Sequence, residues 1–424
     1  MKLPFFNKKK NNSNLKEEWN SLGEQYVSQI NEMVCFGETH GWDNWKGEEP
    51  EDKRDHLAAE VVDLLKEANR NNTVEDFRRD FPPAHAPFIS YFEKQGQSIE
   101  HLHYIDSDKI VFVTGTPWQK RQAYLLDGKS LIELDESIQG IGKSKRNNVF
   151  AFYDGSTITT THGWQGETIA SFELGLSNQV NPTELIPFND GTKVLIISAE
   201  GIYLIDKNEE LLIHPVKAED DDDEDWNPNI AMENGTLSFD NQYVVVGDQC
   251  SNHRILDPSG KQIGEIGPQS EYAHFCLFAQ DDSQLITNSC HFYNGVTIGV
   301  KSEDFQGLNI EPWQESDLFQ VMDEGMRVYH GVAYGDIYIL GDAGGYIKAI
   351  DKNGKQIWRH FLGSTISGMT ISDDGKTLWV ASCTGIIHKL LLGKGHRDNQ
   401  TIGNGNHYEE FRLILWKGEN AMFW

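Results

Sequence analysis

Apolar residues recur with two different periods along this 424-residue chain, and the period changes near residue 99. Before it, Leu15, Trp19, Leu22, Tyr26, Ile30 and Met33 succeed one another at steps of three and four, the stripe of a helix. Asn14 with Glu17 supplies a capping-box-like start for it. Leu57, Val61, Leu64, Leu65 and Ala68 predict a second helix. Thr73 with Asp76 caps a short third one that Pro82 and Pro83 end. The stretch His40-Gly41-Trp42-Asp43-Asn44-Trp45 reads as an irregular loop. These apolar stripes need a surface to cover them, so the helical segment, residues 1–98, is expected to pack against the remainder of the chain.

From residue 99 the period is two, and one unit repeats: a turn rich in Asp, Asn and Gly, then an apolar strand. Its strands are Ile110 to Val113, Val149 to Phe152, Val194 to Ile197, Tyr243 to Val246, Leu285-Ile286, Ile337 to Leu340 and Leu378 to Ala381. They stand on average about 45 residues apart, the length of a four-stranded propeller blade. A second submotif keeps the same register: an apolar strand ending in Asp before a tight turn, at Asp127, Asp206, Asp257 and Asp351. Asp, Asn and Gly suit those turns because they tolerate positive φ. A lone four-stranded sheet cannot bury both faces, whereas seven packed radially can. The expectation is an all-β seven-bladed β-propeller over residues 99–424 behind an N-terminal α-helical segment, with Phe411 to Trp416 as the last outer strand.

Charge narrows the partners. Lys and Arg number 37 against 65 Asp and Glu, a formal net charge of −28. That argues against nucleic acid or an anionic membrane surface and fits a basic protein. No run reaches the roughly 18 apolar residues that cross a bilayer. Lys8, Lys9 and Lys10 precede no apolar stretch of signal-peptide type, so a cytoplasmic location is expected. The five cysteines have no CxxC spacing and read as free thiols. The 15 histidines show no metal-ligand spacing, and the calcium-loop pattern is absent, so neither a metal nor a cofactor is expected. Gly-x-Ser-x-Gly does not occur, and no catalytic residue is picked out.

At Ala349-x-Asp351-x-x-Gly354-x-x-x-Trp358 the chain resembles the repeat of bacterial quinoprotein-like (PQQ-type) propellers and, more loosely, the WD40 and YVTN superfamily. The match is good in this one blade, and the Gly-His and Trp-Asp signatures of WD40 repeats are not in register elsewhere. The resemblance implies the propeller fold and a range of roles, from scaffolds and ligand binders to dehydrogenases.

Blade order assigns residues to faces. With strands A to D running outward, the A–B and C–D turns share one face and the B–C and D–A connections the other. On the second face the B–C loops hold Trp118, Asp248, Phe292 and Tyr293. The D–A connections hold the acidic run Glu219 to Asp225, which includes Asp222 and Asp223, then Trp226, and also Trp313. Aromatics beside charge on a rigid scaffold suit a partner-binding surface. The leading expectation is a non-enzymatic protein-binding propeller, a scaffold or an immunity-type inhibitor of a basic protein. The alternative is an enzyme or small-ligand binder working in the central channel, which convergent carboxylates or histidines there would favour.

Overall fold

A computed structural model describes residues 5–175, 180–217, 226–292 and 294–424. Asp222, Asp223 and Tyr293 lie outside the described residues, as does the rest of the acidic run. The chain forms seven antiparallel sheets arranged as the blades of a β-propeller, preceded by a helical segment. Among the described residues no helix is long and apolar enough to cross a membrane.

The seven turn-and-strand repeats are the second strands of the blades: Lys109–Thr114, Val149–Tyr153, Lys193–Ser198, Val244–Gly247, Gln284–His291, Ile337–Asp342 and Thr377–Ser382. They are apolar without alternation because a neighbouring blade covers each of their faces. Ile110, Val111, Phe112 and Val113 are all fully buried. The first strands line the axis: Ile99–Tyr104, Gly140–Lys143, Pro182–Pro187, Asn234–Leu237, Tyr272–Phe278, Val328–Tyr334 and Ile366–Ile371.

Blade seven closes on blade one by side-chain packing, without exchanging a strand. Leu102 and Phe112 meet Trp379 and Phe411 there, Ser367 Oγ donates to Ile99 O at 2.8 Å, and Tyr104 N donates to Thr370 Oγ1 at 3.0 Å. The outer strand of blade seven spans His407–Ile414, starting earlier than its sequence suggests, and Met422–Phe423 adds a fifth strand outside it. Blade four also gains a fifth strand, Asn309–Ile310, lent by blade five and paired in parallel with Gln262–Ile266.

The helices are α1 (Phe5–His40), α2 (Ala58–Asn71), α3 (Val74–Asp80) and α4 (Ile89–Gln95). Helix α1 runs straight through Asn14, so the capping-box pattern is not its start. Thr73 stands at the N-terminus of α3 but makes no side-chain cap. Trp19 is fully buried, donates Nε1–H to Pro82 O at 3.0 Å and carries the Arg54 guanidinium 4.6 Å above its ring. Leu15, Trp19, Val61, Leu65, Phe77 and Phe88 pack on Ile386, Ile414, Trp416, Met422 and Trp424 at the edge of blade seven. Further along α1, Val27, Ile30 and Val34 cover Ile402 and Phe361. In the loop after α1, Trp45 stacks edge-on against Phe36 at 5.4 Å, while Trp42 lies over Gly37 and is largely exposed.

Candidate ligand channel

The seven inner strands enclose a cavity of about 1040 Å³ along the axis, at the upper end of the size of small-molecule sites. Its wall is polar in every blade: Glu100, His101 and His103 in blade one, Lys143 and Lys145 in blade two, Glu184 in blade three, Glu233 in blade four, His274 and Cys276 in blade five, Arg327, Tyr329 and His330 in blade six, and Ser367 and Thr370 in blade seven.

Three of these six charged wall groups are held by an ion pair or a hydrogen bond, and Glu233 stands beside the Thr183 hydroxyl. Glu100 pairs with Arg121 at 2.9 Å near the D–A mouth. Lys143 donates to Tyr104 O at 2.7 Å, with its ammonium over the Tyr104 and Phe150 rings. Arg327 donates to Phe292 O at 2.7 Å and lies 5.1 Å over the Tyr329 ring. Lys145 and Glu184 differ. Neither side chain has a hydrogen bond or an ion pair among the described residues, yet each feels the other's charge. Burial lowers the Lys145 ammonium from its ordinary value and pushes the Glu184 carboxyl up to about 7, with Lys145 partly offsetting the latter.

The channel histidines are uncharged at neutral pH. Burial brings His103, His274 and His330 down to about 4 and His101 well below its ordinary value. His101 sits at φ +50°, at the irregularity between Glu100 and His103 in the first strand. That distortion turns both imidazoles of blade one to the same acceptor, Ile141 O, at 2.8 Å from His101 Nδ1 and 3.0 Å from His103 Nε2. His274 likewise donates Nδ1–H to Val328 O at 2.7 Å. Cys276, fully free and buried, has its thiol pushed up by burial and by Glu184. Among the described residues no three side chains converge as metal ligands.

The spacing between blades two and three depends on Gly142, beside the Leu185 carbonyl: a Cβ there would collide with that oxygen. Close approach at this level sets Lys145, three residues after Gly142, near Glu184, one residue before Leu185.

The residues expected on the binding face are placed as follows. Trp118, Phe292 and Trp313 are 75%, 70% and 66% exposed, and Trp118 also borders the channel mouth. Trp313 reaches that side by another route than the expected D–A connection. It lies between the third and fourth strands of blade five, beyond the strand lent to blade four, and its amide donates to Pro268 O at 3.0 Å in the D–A connection of that blade. Trp226 is half-buried, with the Lys217 ammonium 5.8 Å from its ring centre. Asp248 is buried: its carboxylate accepts from Cys250 N at 3.1 Å and stands 3.5 Å from His214 Nε2. It holds its own turn together and presents nothing to a partner. Lys145, Glu184, His274, His330 and Arg327 went unnoticed in the sequence. The available signal was position, since each belongs to the strand or turn at the axis, just ahead of the apolar second strands.

Compared with known proteins, the chain matches no family model and no curated protein sequence. Among solved structures it is similar to the hydrazine synthase of Kuenenia stuttgartiensis, with 11% identity and a TM-score of 0.44 over 60% of this chain and 76% of that one.

Proposed function

We propose that this chain is a ligand-binding propeller whose site is the central channel, with Trp118 at its mouth. One observation carries the reading: Lys145 and Glu184 face a cavity of about 1040 Å³ without partners among the described residues, amid imidazoles held neutral. A scaffold that needed only a packed axis would pair or replace two such charges, because unpaired charge away from bulk water is costly. The wall supplies hydrogen-bonding groups in several directions, as recognition of a small polar molecule requires.

A second reading keeps the face. The exposure of Trp118, Phe292 and Trp313 supports docking of a protein, and the net charge of −28 favours a basic one. The blade-six resemblance to quinoprotein-like repeats adds no chemistry to either reading. There Asp351 Oδ1 accepts from Asn353 N and Lys355 N at 2.8 and 2.9 Å, and Gly354 takes φ +77°, which are the requirements of a tight turn.

Hydrogen exchange with a ligand found by thermal-shift screening of small polar molecules separates the two. Slowed exchange in Ile99–Tyr104, Pro182–Pro187 and Val328–Tyr334 is the expected result. Stabilisation by no small molecule, with protection on the Trp118 and Phe292 loops by a basic protein instead, would overturn the channel reading in favour of the face.

A further inference from the structure

If the channel binds a ligand, its two unpartnered charges restrict what the ligand is. Lys145 and Glu184 stand on adjacent blades, line one cavity, and are too far apart to form an ion pair with each other. Around them His103, His274 and His330 are neutral, the Cys276 thiol is protonated, Lys143 and Arg327 each donate to a backbone carbonyl, and Glu233, whose carboxyl burial raises, stands beside the Thr183 hydroxyl. An anion drawn to Lys145 would be repelled by Glu184, and a cation drawn to Glu184 by Lys145. A molecule carrying both charges a few bonds apart satisfies each.

Resting on the channel reading above, we propose that the ligand is a small zwitterion of the α-amino acid class, its carboxylate on Lys145 and its ammonium on Glu184. His103 fits this arrangement. With its Nε2–H donated to Ile141 O, its Nδ1 is left as an acceptor on a residue that lines the channel, suited to an ammonium.

The test uses the full chain and calorimetric titration with free α-amino acids, their methyl esters, their N-acetyl derivatives, succinate and putrescine. The esters lack the negative charge and the N-acetyl compounds the positive one, so the ligand is varied without risk to folding. At least one free amino acid is expected to bind, and its ester and its N-acetyl derivative to bind about ten- to a hundredfold more weakly, the effect of removing one charged hydrogen bond. Lys145→Met should abolish the penalty for esterification, and Glu184→Gln the penalty for acetylation. If succinate or putrescine binds in the channel as well as any amino acid, or the derivatives bind as well as their parents, the zwitterion proposal falls while the channel reading stands. If none of these probes binds, the proposal falls; the channel reading falls with it only if the screen of small polar molecules is blank too.

Discussion

Arg146, in the A–B turn of blade two, pairs with Asp282, in the A–B turn of blade five, Nη2 to Oδ2 at 3.3 Å, although blades three and four stand between them. The intervening turns join the same knot. Arg146 N donates to Asn189 Oδ1 at 2.8 Å, Asn189 N to Asn241 Oδ1 at 2.7 Å, and Phe239 N and Asp240 N to the Asp282 carboxylate at 2.5 and 2.9 Å. Asp282 is the better buried partner, with its side chain 10% exposed against 48% for Arg146.

Asp282→Ala should therefore cost about 2–3 kcal/mol, since two backbone amides lose their acceptor. The residue also sits at φ +61°, which alanine tolerates poorly. Arg146→Ala should cost under about 1 kcal/mol. Asp282→Asn, which keeps one acceptor and suits that φ, should fall between them. Urea midpoints measure all three, and a larger effect from Arg146 would mean the ion pair, rather than the amide contacts, holds the knot.

At Gly142 a substitution that often stabilises should do the reverse. Gly142→Ala drives a methyl into the Leu185 carbonyl and towards Pro187, and the expected loss is about 1–3 kcal/mol, the cost of overpacking. Because the same contact sets the separation of Lys145 and Glu184, this variant should also bind any channel ligand more weakly. Unchanged stability would show that blades two and three can move apart freely.

Removal of residues 1–95 should lower the melting temperature or leave the propeller insoluble. It uncovers Ile386, Ile414, Trp416, Met422 and Trp424. It also strips Glu409 and Asp398 of Arg78, whose Nη2 donates to them at 2.7 and 2.6 Å. Arg78→Met tests the polar part alone, with an expected loss of about 3 kcal/mol for a broken buried pair. A truncated chain as stable as the full one would show the helices to be an independent unit.

Acid should loosen the helix–propeller junction. A small cavity of about 50 Å³ there is lined by His85, His360 and His407, which burial lowers to about 3, about 3 and about 4. Each is held neutral in the fold and has an ordinary value of 6.5 when unfolded. Their contribution is complete above pH 6.5 and declines as the pH falls towards 3–4. Glu409, held well below its ordinary value chiefly by Arg412 and Arg78 against the opposing effect of burial, adds a loss of the same sign below about pH 4.5. His85→Phe should flatten the stability profile between pH 6.5 and 4; an unchanged slope would remove His85 from the account.

Glu184 titrates with the opposite sign. Its carboxyl is raised by burial from 4.5 to about 7, so stability falls as pH rises between those values and stays low above them. Glu184→Gln should gain relative to the parent chain through that window and level off above pH 7. An advantage that is the same at pH 4 and pH 8 would place Glu184 in water.

The blades were legible from the sequence because their signals are local. A second strand covered on both faces must be apolar at successive positions, as in Ile110 to Val113, and a tight turn needs residues such as Gly354 that accept positive φ; neither requirement depends on what lies across the ring. The short helix α3 ends at Asp80, with Phe81 as its C-terminal cap just before Pro82 and Pro83, for the same kind of reason. The start of α1 was misplaced because Asn14 and Glu17 form a capping pattern wherever they stand, and only the neighbouring turns decide whether a helix ends there.

What converges at the axis, in contrast, was set by closure of the ring. Lys145 and Glu184 lie 39 positions apart and Arg146 and Asp282 lie 136 apart. Nothing in either segment records the other. Asp248 and Trp313 make the same point: one B–C residue is buried in its turn, and one aromatic reaches the side of the D–A connections through a strand that blade five lends to blade four. The sequence determined the strands, the turns and their number, because backbone conformation and two-sided burial act over a few residues. The tertiary structure alone decided which polar groups face one another across the channel, because their energies depend on distance and burial that only radial packing creates.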